Sequence, residues 1–131
     1  MKRKLKLRAA LVSILALTGA LMVGCATPGT FTPGALWPDD RGEHINAHGG
    51  GILHHDGVYY WFGENKCDTT CNAQVGVMCY SSRNLTDWRY ESIALAVSED
   101  PSSEIVRGCI IERPKVIYNE RTGKFVMWFH L

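Results

Sequence analysis

Glu43-His-Ile-Asn-Ala-His-Gly-Gly-Gly-Ile-Leu-His-His-Asp-Gly-Val-Tyr-Tyr-Trp-Phe-Gly-Glu64 holds a polar lead-in, three glycines, a two-residue turn and an aromatic strand closed by a carboxylate. Asp56-Gly57 is the pair that a type I′ hairpin turn demands, because both central residues take positive φ. Gly51 to His55 and Val58 to Gly63 are therefore expected as the two strands of a hairpin, the second rich in the aromatic residues that strands favour. Gly49, Gly50 and Gly51 remove side chains where something approaches the backbone or where φ is positive. His48 stands directly before this gap and Glu64 closes the next strand, an arrangement that suggests a binding floor more than packing. Strand alternation puts Tyr60, Phe62 and Glu64 on one side and Tyr59, Trp61 and Gly63 on the other, so they cannot all line one site.

Working outward, the rest of the body reads as strands. Gln74 to Ser82 alternates with period two, which places Val75, Val77 and Cys79 on one face. Asn84-Leu-Thr-Asp-Trp88 is a turn with a buried tryptophan, and Arg89 to Val97 follows as a strand. Arg113 to Tyr118, a turn at Asn119 to Gly123, and Lys124 to Phe129 make a second hairpin. No long segment of period 3.6 follows residue 24, and short strands punctuated by turns indicate an all-β sandwich, barrel or propeller. The two hairpins share one layout: Gly51-Ile-Leu, a glycine turn and Val58-Tyr-Tyr-Trp-Phe match Lys115-Val-Ile, a glycine turn and Lys124-Phe-Val-Met-Trp-Phe. Blade-like repetition of this kind favours a β-propeller.

The N-terminus carries an export address. Lys2, Arg3, Lys4, Lys6 and Arg8 precede an apolar run from Ala9 to Val23, the layout of a secretory signal too short to span a membrane well. It ends Leu21-Met-Val-Gly-Cys25, similar to a bacterial lipobox, so residues 1–24 are expected as a lipoprotein signal peptide and Cys25 as the lipid attachment site. Two acyl chains give stable anchoring. Residues 25–36 are expected as the lipidated cysteine and its tether, with the domain at 37–131. Ala26 after the cysteine fits export to the outer membrane, facing periplasm or surface. Without the signal, nine Lys and Arg face thirteen Asp and Glu, which argues against nucleic acid as a partner. The apolar strand pattern running up to Leu131 leaves an unpaired hydrophobic edge, so the chain is expected to be the N-terminal part of a longer protein.

Four motifs in order, Ile45-Asn-Ala-His-Gly-Gly-Gly-Ile52, Tyr59-Tyr-Trp-Phe-Gly-Glu64, Tyr80-Ser-Ser-Arg-Asn-Leu-Thr-Asp-Trp88 and Ile111-Glu-Arg-Pro-Lys-Val-Ile-Tyr-Asn119, resemble glycoside hydrolase family 43. The likeness is to its exo-β-1,3-galactanase branch. It implies a five-bladed β-propeller, of which this chain holds about the first two blades, and an inverting glycosidase that removes terminal galactose from β-1,3-galactan-type polysaccharide. It also implies residue roles. Glu112 takes the second-blade position of the carboxylate that tunes the acid's pKa and positions it, while His48, Gly49, Gly50 and Glu64 take substrate-binding positions. The base of typical members falls within Ala47 to Gly50, where no carboxylate stands; the galactanase-like branch likewise lacks it, and an amide on a later blade is taken to substitute. The general acid falls on the third blade, so this fragment alone is expected to be inactive.

Hydrolysis with inversion needs an acid for the leaving oxygen and a base for water, about 6.5–9.5 Å apart. A second carboxylate nearby raises the acid's pKa by like-charge repulsion. Trp61 or Tyr59 offers a ring for stacking on a sugar face, although most aromatic residues here are blade core. No cofactor and no metal are expected: His54 and His55 flank the hairpin turn as exposed residues, with no second ligand cluster at a known spacing. Cys67, Cys71, Cys79 and Cys109 allow three disulfide pairings in an exported protein, and Cys67 with Cys71 would close the loop from Asn65 to Asn72. A lipid-anchored carbohydrate-binding protein without hydrolysis, an inactive truncated product, and arabinofuranosidase or xylosidase specificity are the alternative readings.

Overall fold

The computed structural model describes residues 29–131. The expected signal peptide (1–24), the lipid site Cys25 and the first residues of the tether lie outside the described residues. Six strands follow in order: β1 (His48–His55), β2 (Val58–Glu64), β3 (Gly76–Ser82), β4 (Arg89–Ala96), β5 (Glu112–Asn119) and β6 (Lys124–His130). Strands β1 to β4 form one antiparallel sheet in sequence order, and β5 and β6 form a second. The described residues contain no helix. They make one complete four-stranded blade and a further hairpin, so the expected two blades come to about one and a half.

The β1–β2 turn has the predicted geometry, with Asp56 at φ 50° and Gly57 at φ 74°. Strand β1, however, begins at His48 rather than Gly51, because His48 already pairs with Glu64, and Gly49 and Gly50 form a bulge before Gly51 pairs with Phe62. His55 is half-buried, not exposed: its ring lies 4.4 Å from Tyr118 and 5.0 Å from Phe125, so it joins the two hairpins. His54 stays exposed and stacks on Tyr59 at 4.5 Å.

Strand β3 is the buried spine of the blade, with Val77 at 0% and Tyr80 at 1% exposure. On one side Tyr80, Met78, Trp88, Ile45 and Ala47 form a core against which Trp37, Trp61 and Tyr90 pack. On the other, Val77 joins Ala73 and Ile111, with Phe62, Leu95, Met127 and Phe129 against them, and this second core lies between the sheets. Val75 packs with the Tyr80 side and not with Val77. Gly76, at φ 120°, interrupts the alternation on which their common face was predicted. Trp61 belongs to an aromatic cluster, 5.8 Å from Trp37 and 5.3 Å from Trp88, so its half-buried ring packs on the core. Phe31 packs on Trp37 at 4.8 Å, so contacts with the domain begin ahead of residue 37. Ile117, Phe125 and Trp128 of the second hairpin are exposed, apolar surface of the kind that the outer strands of a propeller cover.

The segment before β1 is pinned by a buried carboxylate. Asp39 accepts hydrogen bonds from Arg41 Nε at 3.0 Å and Nη2 at 2.6 Å, and from the main-chain N–H groups of Arg41 and Glu43. Arg41 in turn lies 3.7 Å from the centre of the Tyr90 ring. Burial alone would push the Asp39 carboxyl up, but the Arg41 guanidinium and the two N–H donors together hold it below its ordinary value. A depressed folded-state pKa contributes stability that is present above the unfolded value of about 4 and lost as pH falls through the folded one. Melting temperature is therefore expected to fall as pH drops below 4, and Asp39→Asn is expected to remove part of that slope while lowering stability at neutral pH. Thermal melts of both proteins across this range check it; equal acid slopes would remove Asp39 from the account.

Candidate active site

The two hairpins carry the same irregularity at the same end. In the first, His48 pairs with Glu64 and the register then slips to Gly51 opposite Phe62. In the second, Glu112 pairs with His130 and the register slips to Lys115 opposite Trp128. Each is a bulge of one extra residue, and each has a left-handed residue directly after the pair: Gly49 at φ 56° and Arg113 at φ 53°. One histidine and one glutamate thus meet at the end of each hairpin, with their strands exchanged.

The two bulges are stitched together. Glu64, only 5% exposed, accepts the main-chain N–H of Arg113 at Oε1, 3.0 Å away, while Lys66 Nζ lies 2.5 Å from Oε2. Lys115 Nζ crosses the other way and donates to the carbonyls of Gly49 at 2.9 Å and Gly50 at 2.8 Å. The glycines fit this seam sterically. A β-carbon on Gly49 would lie 2.8 Å from Glu64 Oε1, one on Gly50 would lie 2.2 Å from the Phe62 carbonyl oxygen, and one on Gly51 would lie 2.6 Å from Lys115 Cδ. The space beside the glycines is therefore occupied by protein atoms of the seam.

Lys66 secures the rim. Its Nζ also donates to the Cys71 carbonyl at 3.0 Å, and its main chain is held by the Asn46 side chain through bonds of 2.7 and 2.8 Å. The Glu64 carboxylate beside it raises the Lys66 pKa despite the opposing effect of burial. Glu112 differs from Glu64. Its side chain is 37% exposed, and its one hydrogen-bond partner among the described residues is His130, whose Nδ1 is 3.4 Å from Oε2. His48 and Gly49 are exposed, and Gly50 is half-buried. The structure thus brings Gly49, Gly50 and Glu64 into contact with the β5 bulge and places His48 and Glu112 at matching strand starts.

The sequence offers Lys66 as a charge partner for Glu64 and Arg113 or Lys115 for Glu112; the structure pairs Lys66 with Glu64, sends Lys115 and the Arg113 main chain across to the other hairpin, and adds His130, which was not predicted. Lys115 left a trace, since aligning the two hairpins sets it opposite Gly51, a long side chain beside a missing one. Among the described residues no cluster of three metal-ligating side chains occurs.

The cysteines of the described region are all unbridged thiols, Cys67 and Cys71 exposed, Cys79 buried and Cys109 between. The Thr69 hydroxyl, with main-chain N–H groups of Thr69 and Thr70, lowers the Cys67 pKa. Burial, and then the charge of Glu91, push Cys79 up to about 11. Because the thiolate is the reactive form, Cys67 is expected to alkylate fastest and Cys79 only on unfolding. Timed iodoacetamide labelling with peptide mass mapping checks this order.

A four-stranded blade packed along β1 against a second hairpin, with carboxylates gathered at one end of both, is the arrangement of a propeller-type protein. No family model matches the chain, and no curated protein does. Solved structures match closely. A GH43 β-1,3-galactosidase solved with galactodeoxynojirimycin shares 58% identity, with TM-score 0.72 over 74% of this chain and 28% of that one. The exo-β-1,3-galactanase of Phanerochaete chrysosporium, solved with galactose, shares 40% identity and TM-score 0.68 over 74% of this chain and 22% of its own. The exo-β-1,3-galactanase of Clostridium thermocellum shares 45% identity and TM-score 0.64 over 74% of this chain and 20% of its own. The chain belongs to glycoside hydrolase family 43, in its exo-β-1,3-galactanase branch. It spans less than a third of the length of these relatives.

Proposed function

We propose that the complete protein is an inverting glycosidase that releases terminal galactose from β-1,3-galactan-type polysaccharide. The observation that carries this reading is Glu112, a part-exposed carboxylate at the start of β5, on a chain 58% identical to a β-1,3-galactosidase. A carboxylate in that place acts on a neighbouring acid by like-charge repulsion, which keeps the acid protonated near neutrality, and by holding it in line with the leaving oxygen. His48 donates or accepts hydrogen bonds at sugar hydroxyls above the floor of Gly49 and Gly50, and Glu64 supports that floor from beneath. The general acid and the amide that takes the base's part lie on later blades. No cofactor or metal enters this chemistry. The basic and apolar leader ending at Cys25 supports a lipid-anchored protein at the outer membrane, facing periplasm or surface.

The test is hydrolysis of β-1,3-galactobiose by the complete gene product, followed by proton NMR of the first sugar formed. Galactose appearing first as the α-anomer is the expected result. Release of arabinose or xylose from the matching glycosides instead would replace the substrate, and binding of galactobiose without cleavage would make the protein a carbohydrate-capture module.

A further inference from the structure

The geometry points to Glu64 as a positioning residue for Glu112, acting through the main chain of Arg113; this rests on the glycosidase reading above. Arg113 follows Glu112 directly and sits at φ 53°, a left-handed conformation that a long L-residue adopts only when its surroundings impose it. Its N–H is held by Glu64 Oε1 at 3.0 Å, from a residue on the other hairpin. The peptide that this bond fixes is the one joining Glu112 to Arg113, so the bond sets the direction in which Glu112 leaves the strand. Glu64 is itself immobilised. It is 5% exposed, Lys66 lies against its other oxygen at 2.5 Å, and Gly49 leaves the space its Oε1 occupies. The first hairpin has the same bulge without strain, because glycine occupies its left-handed position. Only the second hairpin, which carries the freer carboxylate, needs an external hold.

If Glu64 works by holding Arg113 in this conformation, a residue that adopts it freely reduces the need for Glu64. Glu64→Ala, Arg113→Gly and the double variant are compared in the complete gene product on β-1,3-galactobiose. Glu64→Ala is expected to lower kcat on the order of 10²-fold, with KM changed much less, because a misaimed group costs chemistry more than binding. In the Arg113→Gly background the same substitution is expected to cost about tenfold or less, a coupling of the size that contacting residues show. Equal losses in both backgrounds, or a rise in KM with kcat unchanged, would overturn the assignment and leave Glu64 as a sugar ligand or a packing residue. If Glu64→Ala fails to fold, Glu64→Leu, which keeps most of the volume but cannot accept the Arg113 N–H, is run through the same cycle; it is expected to couple with Arg113→Gly in the same direction, and additivity overturns the assignment. A wild-type protein that releases no galactose overturns the glycosidase reading and this one together, whereas an active wild type with additive losses overturns this one alone.

Discussion

Glu112→Gln is expected to cut galactose release from β-1,3-galactobiose on the order of 10²-fold, the range found for groups that govern proton transfer. The amide is nearly isosteric and can still accept a hydrogen bond from His130, the one partner of the Glu112 side chain among the described residues. What it lacks is charge. Without a neighbouring negative charge the acid's pKa drops, and less of the acid is protonated near neutrality. The loss should therefore fall mostly on kcat and shrink as pH is lowered. Stability should change by no more than about 0.5 kcal/mol, as for other part-exposed positions free of buried networks. Rate profiles from acid to neutral pH, with melts on the same samples, check both halves. A variant with unaltered kcat would remove Glu112 from the mechanism.

Gly63→Ala is expected to destabilise the fold strongly. A β-carbon there would lie 2.2 to 2.4 Å from the carbonyl carbon, carbonyl oxygen and α-carbon of Ala47. These are main-chain atoms in a buried stretch, so no side-chain rotation relieves the clash. The cost is expected at about 3 kcal/mol, the upper end for overpacking a well-filled interior. Urea unfolding of the wild type and variant measures it. Gly57→Ala is the control: nothing lies within 4 Å of its β-carbon, so only the positive φ of 74° is penalised. That penalty is about 1 kcal/mol. Similar losses for the two would show that steric exclusion at Gly63 is not the cause.

Hairpins were legible because their signals are local. Asp56-Gly57 fixes a turn type, and aromatic alternation fixes the partner strand, without reference to the rest of the molecule. The family likeness gave Glu112 and the glycine stretch their expected roles from their motifs alone. What could not be read was the traffic between hairpins. The bond from Arg113 to Glu64 and those from Lys115 to Gly49 and Gly50 join residues far apart in sequence, and each has a main-chain group at one end. Main-chain donors and acceptors exist at every position, so composition gives no hint of which is used. Arg113 at positive φ was invisible for a related reason: nothing marks an arginine as left-handed except the neighbour that holds it. Trp61 was ambiguous for another reason: its ring suits a sugar face or a core equally well, and its packing on Trp37 and Trp88 shows only in three dimensions.

At the bulges, each hydrogen bond between the hairpins has a side chain at one end only. Glu64 reaches a peptide N–H, and Lys115 reaches peptide carbonyls. A contact of this form does not need two side chains to change in step. Either crossing is therefore open to loss by one substitution: without Glu64 the Arg113 N–H loses its acceptor, and without Lys115 the Gly49 and Gly50 carbonyls lose a shared donor.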